Sequence, residues 1–284
     1  MKTLWQSALL FCCALILGGA TACSPGRTQS SPIASKDDVD TPAIHPLPVR
    51  LPRNSNNPQA ASGLPTPPST AVVFTQIEQL SGWNSCDNAA CAGGSGTGAY
   101  WMTQNQTSPS LTGSSMELFN SGAWANALWW QKMGAQDSAS NFVWDFYVQV
   151  DESSVSAAQA LEFDSFQFYG GYNYMFGSQC DFGNGKWDVW DEADGRWVPT
   201  TVACKSFEPG TWHHIQWYIT DNKSARTYTF MTLVVDDVPY VLNLTYGAKN
   251  VGWSDDVGVQ YQLDVNATGN GYHEWVDDSN LTVW

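Results

Sequence analysis

Residues 160 to 168 read Ala-Leu-Glu-Phe-Asp-Ser-Phe-Gln-Phe, placing two carboxylates, Glu162 and Asp164, two positions apart inside an apolar run. In an extended strand side chains alternate, so Glu162 and Asp164 share one face and Leu161 and Phe163 the other. Charged groups rarely sit mid-strand among aromatics unless something pairs or binds them. Two carboxylates on one face can accept hydrogen bonds from sugar hydroxyls, ligate a hard cation, or work as acid and base. Gln167 is out of step with the alternation and joins that face only if a bulge near Ser165 and Phe166 adds a residue. Its amide would give and take hydrogen bonds but deliver no proton at neutral pH. The competing reading is that donors on neighbouring strands hold both carboxylates, which then only shape the sheet.

Other residues add to this set unevenly. Along Lys186-Trp187-Asp188-Val189-Trp190-Asp191 the alternation turns Trp187 and Val189 away from Asp188 and Trp190. One indole then fills the core and Trp190 offers a ring on which a sugar can stack. Trp129, Trp130, Trp212 and Trp217 are expected as core filler. His213 and His214 point to opposite faces of one strand and cannot share a metal, and His273 stands alone. The run Gly93-Gly94-Ser95-Gly96-Thr97-Gly98 lacks the strand and helix of a phosphate cradle and reads as a flexible loop.

Positioning these groups falls to strands. Fourteen short alternating segments, from Val72–Leu80 to Leu281–Trp284, are separated by Gly, Asn and Asp pairs, with no convincing helix among them. The expected fold class is all-β, two stacked antiparallel sheets forming one sandwich over residues 71–284. Residues 24 to 70 hold ten of the fourteen prolines and no aromatic, so 23–70 reads as a disordered tether. The first 22 residues read as an export signal: Lys2, an apolar run from Leu9 to Leu17, and Ala20-Thr21-Ala22 before the cut. Cleavage before Cys23 would match a lipoprotein box, with acylation at Cys23 and location in a bacterial cell envelope; an ordinary signal-peptidase site and secretion is the alternative.

Export agrees with the cysteines. Cys12 and Cys13 leave with the signal, and the even set Cys86, Cys91, Cys180 and Cys204 favours disulfides. Cys86 with Cys91 would close a short loop, and Cys180 with Cys204 would tie two neighbouring strands. A four-cysteine zinc site is the competing idea, but Cys180 and Cys204 lack the close pairing such sites use. Residues 71–284 carry 7 Lys and Arg against 24 Asp and Glu, a net of −17. So acidic a domain excludes nucleic acid and anionic lipid as partners, and is compatible with calcium or a neutral glycan.

The Glu-Phe-Asp run resembles the signature of the concanavalin A-like lectin and glucanase superfamily, in both its legume-lectin and its family 16 and family 7 glycoside hydrolase forms. The resemblance implies a jelly-roll sandwich. For a legume-type metal site it requires ligands where this chain has Phe168, Asn173 and Ser178, so no cofactor is expected; calcium is left possible but has no ligand set to support it. For a hydrolase it implies Glu162 as nucleophile and Asp164 as its assistant, with Gln167 standing where the acid/base glutamate should be. Thr211-Trp212-His213-His214-Ile215, Val234-Val235-Asp236-Asp237 and Trp275-Val276-Asp277-Asp278 resemble strands of laminin-G-like jelly rolls, the last one pairing back beside the first strand. The Glu-Phe-Asp, Gly-Ser-Gln-Cys and Trp-His-His runs are also similar to those of certain secreted bacterial proteins.

Together these point to a surface-tethered, monomeric, non-catalytic module that binds a polysaccharide or glycan through Glu162, Asp164, Gln167 and Trp190, reaching the membrane only through its lipid. Two alternatives remain open. One is a glycoside hydrolase of the same fold, acting on a β-glucan-type polymer with its acid supplied by Glu117 or Glu274. The other is a structural envelope lipoprotein.

Overall fold

The computed structural model describes residues 63–87 and 89–284. The expected signal, Cys23 and most of the expected tether lie outside the described residues.

Alternating apolar positions build two antiparallel sheets. The first contains β1 (Val72–Phe74), β3 (Tyr100–Gln106), β4 (Ser115–Asn120), β6 (Asn141–Val150), β11 (His213–Asn222), β12 (Thr227–Val235), β13 (Val238–Gly247) and β16 (Tyr272–Val283). The second contains β2 (Asn84–Cys86), β5 (Asn126–Lys132), β7 (Ala158–Tyr169), β8 (Tyr172–Asp181), β9 (Lys186–Asp191), β10 (Arg196–Ala203), β14 (Lys249–Asn250) and β15 (Asp256–Val265). Their orders are β13-β12-β11-β6-β16-β4-β3, with β1 beside β16, and β10-β9-β8-β7-β15-β5-β2, with β14 beside β8. Among the described residues the chain changes sheet eight times, at β1 to β2, β2 to β3, β4 to β5, β5 to β6, β6 to β7, β10 to β11, β13 to β14 and β15 to β16, which wraps it as a jelly roll. One helical turn, α1 (Ser154–Ala157), makes the β6 to β7 crossing.

Between the sheets lie Trp129, Trp144, Trp187 and Trp217 with Phe146, Phe163 and Tyr261, all buried. Trp130 and Trp212 are only half-buried, because alternation turns each away from its buried neighbour or strand-mate. Val72–Leu80 is a strand only to Phe74; a 3-10 turn at Ile77–Gln79 follows and buries Ile77. The hairpin between β12 and β13 turns on Asp236 and Asp237, both left-handed at φ 49° and 65°, as a two-residue turn requires.

Cys86–Cys91 and Cys180–Cys204 are disulfides. The second does not tie neighbouring strands. β9 lies between β8 and β10, and Cys204 comes back over the β8–β9 turn, where its N–H donates to the Gly185 carbonyl. The glycine-rich run is seated rather than loose: the Ser95 and Gly96 N–H groups donate to the Trp124 carbonyl, and a side chain at Gly98 would collide with the Ser121 carbonyl. The packed body also begins upstream of residue 71, since Leu64 is buried against Val143 and Val234.

Leu64→Ala should therefore cost about 2 kcal/mol or more in urea unfolding, the usual toll of a buried leucine. Replacing Cys180 and Cys204 together by Ser should cost about 2–4 kcal/mol, since the bridge closes a span of 24 residues. An unchanged midpoint in either case would contradict this packing.

Candidate functional site

β7 runs between β8 and β15 in unbroken register from Leu161 to Phe168, so no bulge interrupts it. Leu161 and Phe163 enter the core, and Glu162 and Asp164 emerge on the outer face of the second sheet. The same parity sends Gln167 to the core side. It is 1% exposed, and its Nε2 donates to the carbonyls of Gln136 and Ala139. Gln167 is thus not a member of the site, because the bulge that would have moved it is absent. Glu117 and Glu274 do not reach the site either, since both belong to strands of the opposite sheet. Glu117 contacts the His273 ring at 2.9 Å, and Glu274 is fully buried.

Around the two carboxylates the sheet forms a hollow of about 270 Å³, lined by Glu162, Asp164, Gly177, Trp190, Glu192, Trp197, Gln260 and Gln262 and closed on one side by Cys91, Ala92 and Gly93. Typical small-molecule sites run to about 300–1,000 Å³, so this one suits roughly a single sugar ring. Each wall has a structural cause. On β15 the polar positions Gln260, Gln262 and Asp264 alternate just as Glu162 and Asp164 do, and the register sets Gln260 opposite Asp164 and Gln262 opposite Glu162. Gln260 Nε2 donates to Asp164 at 2.6 Å, and Gln262 Nε2 to Glu162 at 2.7 Å and Asp264 at 3.0 Å. The Ser178 N–H donates to the other oxygen of Asp164 at 2.9 Å.

Across β8 the floor is Gly177. A Cβ there would stand 2.8 Å from the Trp190 Cβ and 3.2 Å from Asp164 Oδ1, so only glycine lets the indole lie over this strand. The Trp190 and Trp197 rings meet edge to face at 5.1 Å. Trp190 Nε1 donates to Glu192 at 2.6 Å, and Asn173 holds the other Glu192 oxygen at 3.1 Å. Tyr228 reaches from the first sheet to donate to the Trp190 carbonyl at 2.7 Å and to accept from the Glu192 N–H at 3.0 Å. The loop on the remaining side is held by the Cys86–Cys91 bridge and by Asn126 Nδ2 donating to the Ala92 carbonyl at 3.0 Å.

Burial dominates the electrostatics. Desolvation pushes Glu162 well above the usual carboxylate range, and the charges of Asp164 and Asp264 raise it further. Burial lifts Asp164 to about 6, opposed by hydrogen bonds from Glu162, Gln260 and Ser178. Asp264 rises to about 7 through burial, with Gln262 opposing. Of the two strand-mates, Glu162 is the one held furthest toward its neutral form, because burial and the neighbouring carboxyls of Asp164 and Asp264 both oppose its charge. Glu192 is also raised by burial, against hydrogen bonds from Trp190 and Asn173.

Among the described residues no group of three or more His, Cys, Asp or Glu side chains is placed to hold a metal ion. Where a legume-type site would need ligands, Asn173 serves Glu192, Ser178 Oγ donates to the Phe163 carbonyl at 2.6 Å, and Phe168 is apolar. No described helix is long and apolar enough to cross a membrane.

No family model matches this sequence, and no curated protein matches it. Solved structures similar to it include an endo-β-1,4-glucuronan lyase from the fungus Trichoderma reesei, 13% identical over 73% of this chain and 94% of that one, with TM-score 0.44. A lectin I from Ulex europaeus, in complex with the methyl glycoside of α-L-fucose, is 11% identical over 76% and 98% with TM-score 0.43. The lectin-like defence protein arcelin-5 from Phaseolus vulgaris is 11% identical over 76% and 99% with TM-score 0.41. The likeness is one of fold alone, and the two-sheet jelly roll rests on this chain's own strand order.

The site's acids make a pH prediction with a definite sign. Carboxyls raised in the folded state bind more protons there than in the unfolded chain. Stability is then greatest below about pH 4 for these groups and is lost as pH rises through 6 and 7, where Asp164 and Asp264 ionise. Urea midpoints should fall between pH 5 and pH 8, and Asp264→Asn should flatten that fall. A midpoint rising over this interval, with no flattening in the variant, would contradict the assignment.

Proposed function

We propose that the chain is a carbohydrate-binding protein whose ligand, a polysaccharide or glycan, enters the hollow on the outer face of the second sheet. The observation that carries this reading is the convergence of Glu162, Asp164, Gln260 and Gln262 with the indoles of Trp190 and Trp197 in one ring-sized hollow. Carboxyl oxygens and amides match the donors and acceptors of sugar hydroxyls, and indole faces match the apolar C–H faces of a pyranose. Lectins are among the structures of similar fold, which agrees with this reading without carrying it. We further propose that the domain acts outside the cytoplasm as a monomer, in keeping with its disulfides, held to an envelope by a lipid on Cys23.

A glycoside hydrolase of the same fold is the second reading, and the upward shift that burial imposes on Glu162 favours it as a proton donor. Against it, Glu162 hydrogen-bonds Asp164 directly, whereas retaining hydrolysis uses carboxyls about 5 Å apart on either side of the bond. The remaining carboxyl of the hollow, Glu192, is occupied on both oxygens.

A glycan array followed by calorimetry on the best ligand tests the binding reading. Trp190→Ala should weaken affinity about tenfold, the loss of one stacked ring at roughly 1–1.5 kcal/mol. Trp101→Ala, on the opposite sheet, should leave affinity unchanged. Equal loss in both, or release of reducing ends from a β-glucan by the unaltered protein, would overturn it.

A further inference from the structure

Every ionisable side chain lining the hollow is an acid: Glu162, Asp164 and Glu192. The charged groups around them extend the same sign. β15 adds Asp264, β8 adds Asp181, whose charge bears on Asp264, and β9 adds Asp188, which accepts from Gln179 at 3.2 Å. Among the described residues the cation that acts on the hollow's carboxyls is Lys249 of β14, and it acts on Glu192 at the far end. The donors to Asp164 are neutral: Gln260 Nε2 and the Ser178 N–H. Asp164 is thus a 2% exposed carboxylate held by neutral groups, with no cation partnering it.

Resting on the binding reading above, we propose that the hollow selects an amino sugar carrying a free ammonium group over a neutral sugar, and rejects a uronate. The geometry assigns the parts. The pyranose lies against the Trp190 and Trp197 indoles, and its ammonium reaches Asp164 over the gap left by Gly177. There it adds a charged donor to a carboxylate otherwise held by the neutral Gln260 amide and Ser178 N–H. The indole π faces favour a nearby cation as well. A uronate would set a further carboxylate among Glu162, Asp164 and Glu192 with no arginine or lysine to receive it, in a site where like charges are poorly screened. A domain net charge of −17 acts in the same sense at long range, drawing cationic chains in and repelling anionic ones.

The test is calorimetry on the intact protein with three β-1,4-linked tetramers, of glucosamine, glucose and glucuronate, at pH 6, where the amine is protonated. Glucosamine should bind at least tenfold more tightly than glucose, and glucuronate should give no measurable heat. Asp164→Asn should bring glucosamine and glucose to within about twofold of each other, whatever it does to the affinity for either. Glucose binding as tightly as glucosamine, or glucuronate binding most tightly, would overturn the charge selection while leaving the glycan site intact. Failure of all three tetramers to bind would overturn both this inference and the reading of the hollow on which it rests.

Discussion

A strand buried on both faces must divide its chemistry by parity, and β7 is that strand. Its odd residues Leu161 and Phe163 are pinned between the sheets, where Phe163 contacts Phe146, Trp187 and Tyr261. Once they are pinned, the even residues Glu162 and Asp164 can only emerge on the outer face, beneath a hollow. A slip of one residue would bury both carboxylates in the core, so the hydrophobic packing that fixes register also fixes the site. Neighbouring strands obey the same rule: Trp187 is core and Trp190 is wall.

Desolvation then determines what the carboxylates can do. Two acids in adjacent outward positions, with a third at Asp264, cannot all ionise away from water, so they share protons and are braced by amides from β15. This arrangement costs stability near neutral pH and supplies no packing that apolar residues could not. Its net effect is a set of fixed, partly dry acceptors beside two indoles, the chemistry that the proposed sugar site requires.

Much of this was legible in the sequence, and the failures have local causes. Most strand positions followed from alternation, but β2 and β14, at three and two residues, are too short to carry a pattern, Val72–Leu80 is a strand only to Phe74, and β16 begins at Tyr272 rather than Leu281. The Glu162 and Asp164 pair was visible because charge is conspicuous in an apolar strand. Gln260 and Gln262 follow the same alternation, but neutral amides stand out less than charges and their role depends on which strand pairs with β7. Gln167 was misplaced because a bulge is set by tertiary register, which spacing alone does not report. Leu64 was assigned to the tether on the composition around it, although a single leucine meeting Val143 and Val234 is enough to anchor a segment. Glu192, Trp197 and Gly177 are brought to the site by sheet order, which no local stretch encodes.

The most direct test of the central claim, that the outer face of β7 receives a ligand rather than merely shaping the sheet, is side-chain nuclear magnetic resonance during titration with a bound oligosaccharide. The account predicts shifts in the Trp190 indole N–H and in the side-chain amides of Gln260 and Gln262, with the Trp101 and Trp217 indoles unmoved. Unmoved Trp190, Gln260 and Gln262 signals while the sugar binds, or shifts centred on Trp101, would contradict it.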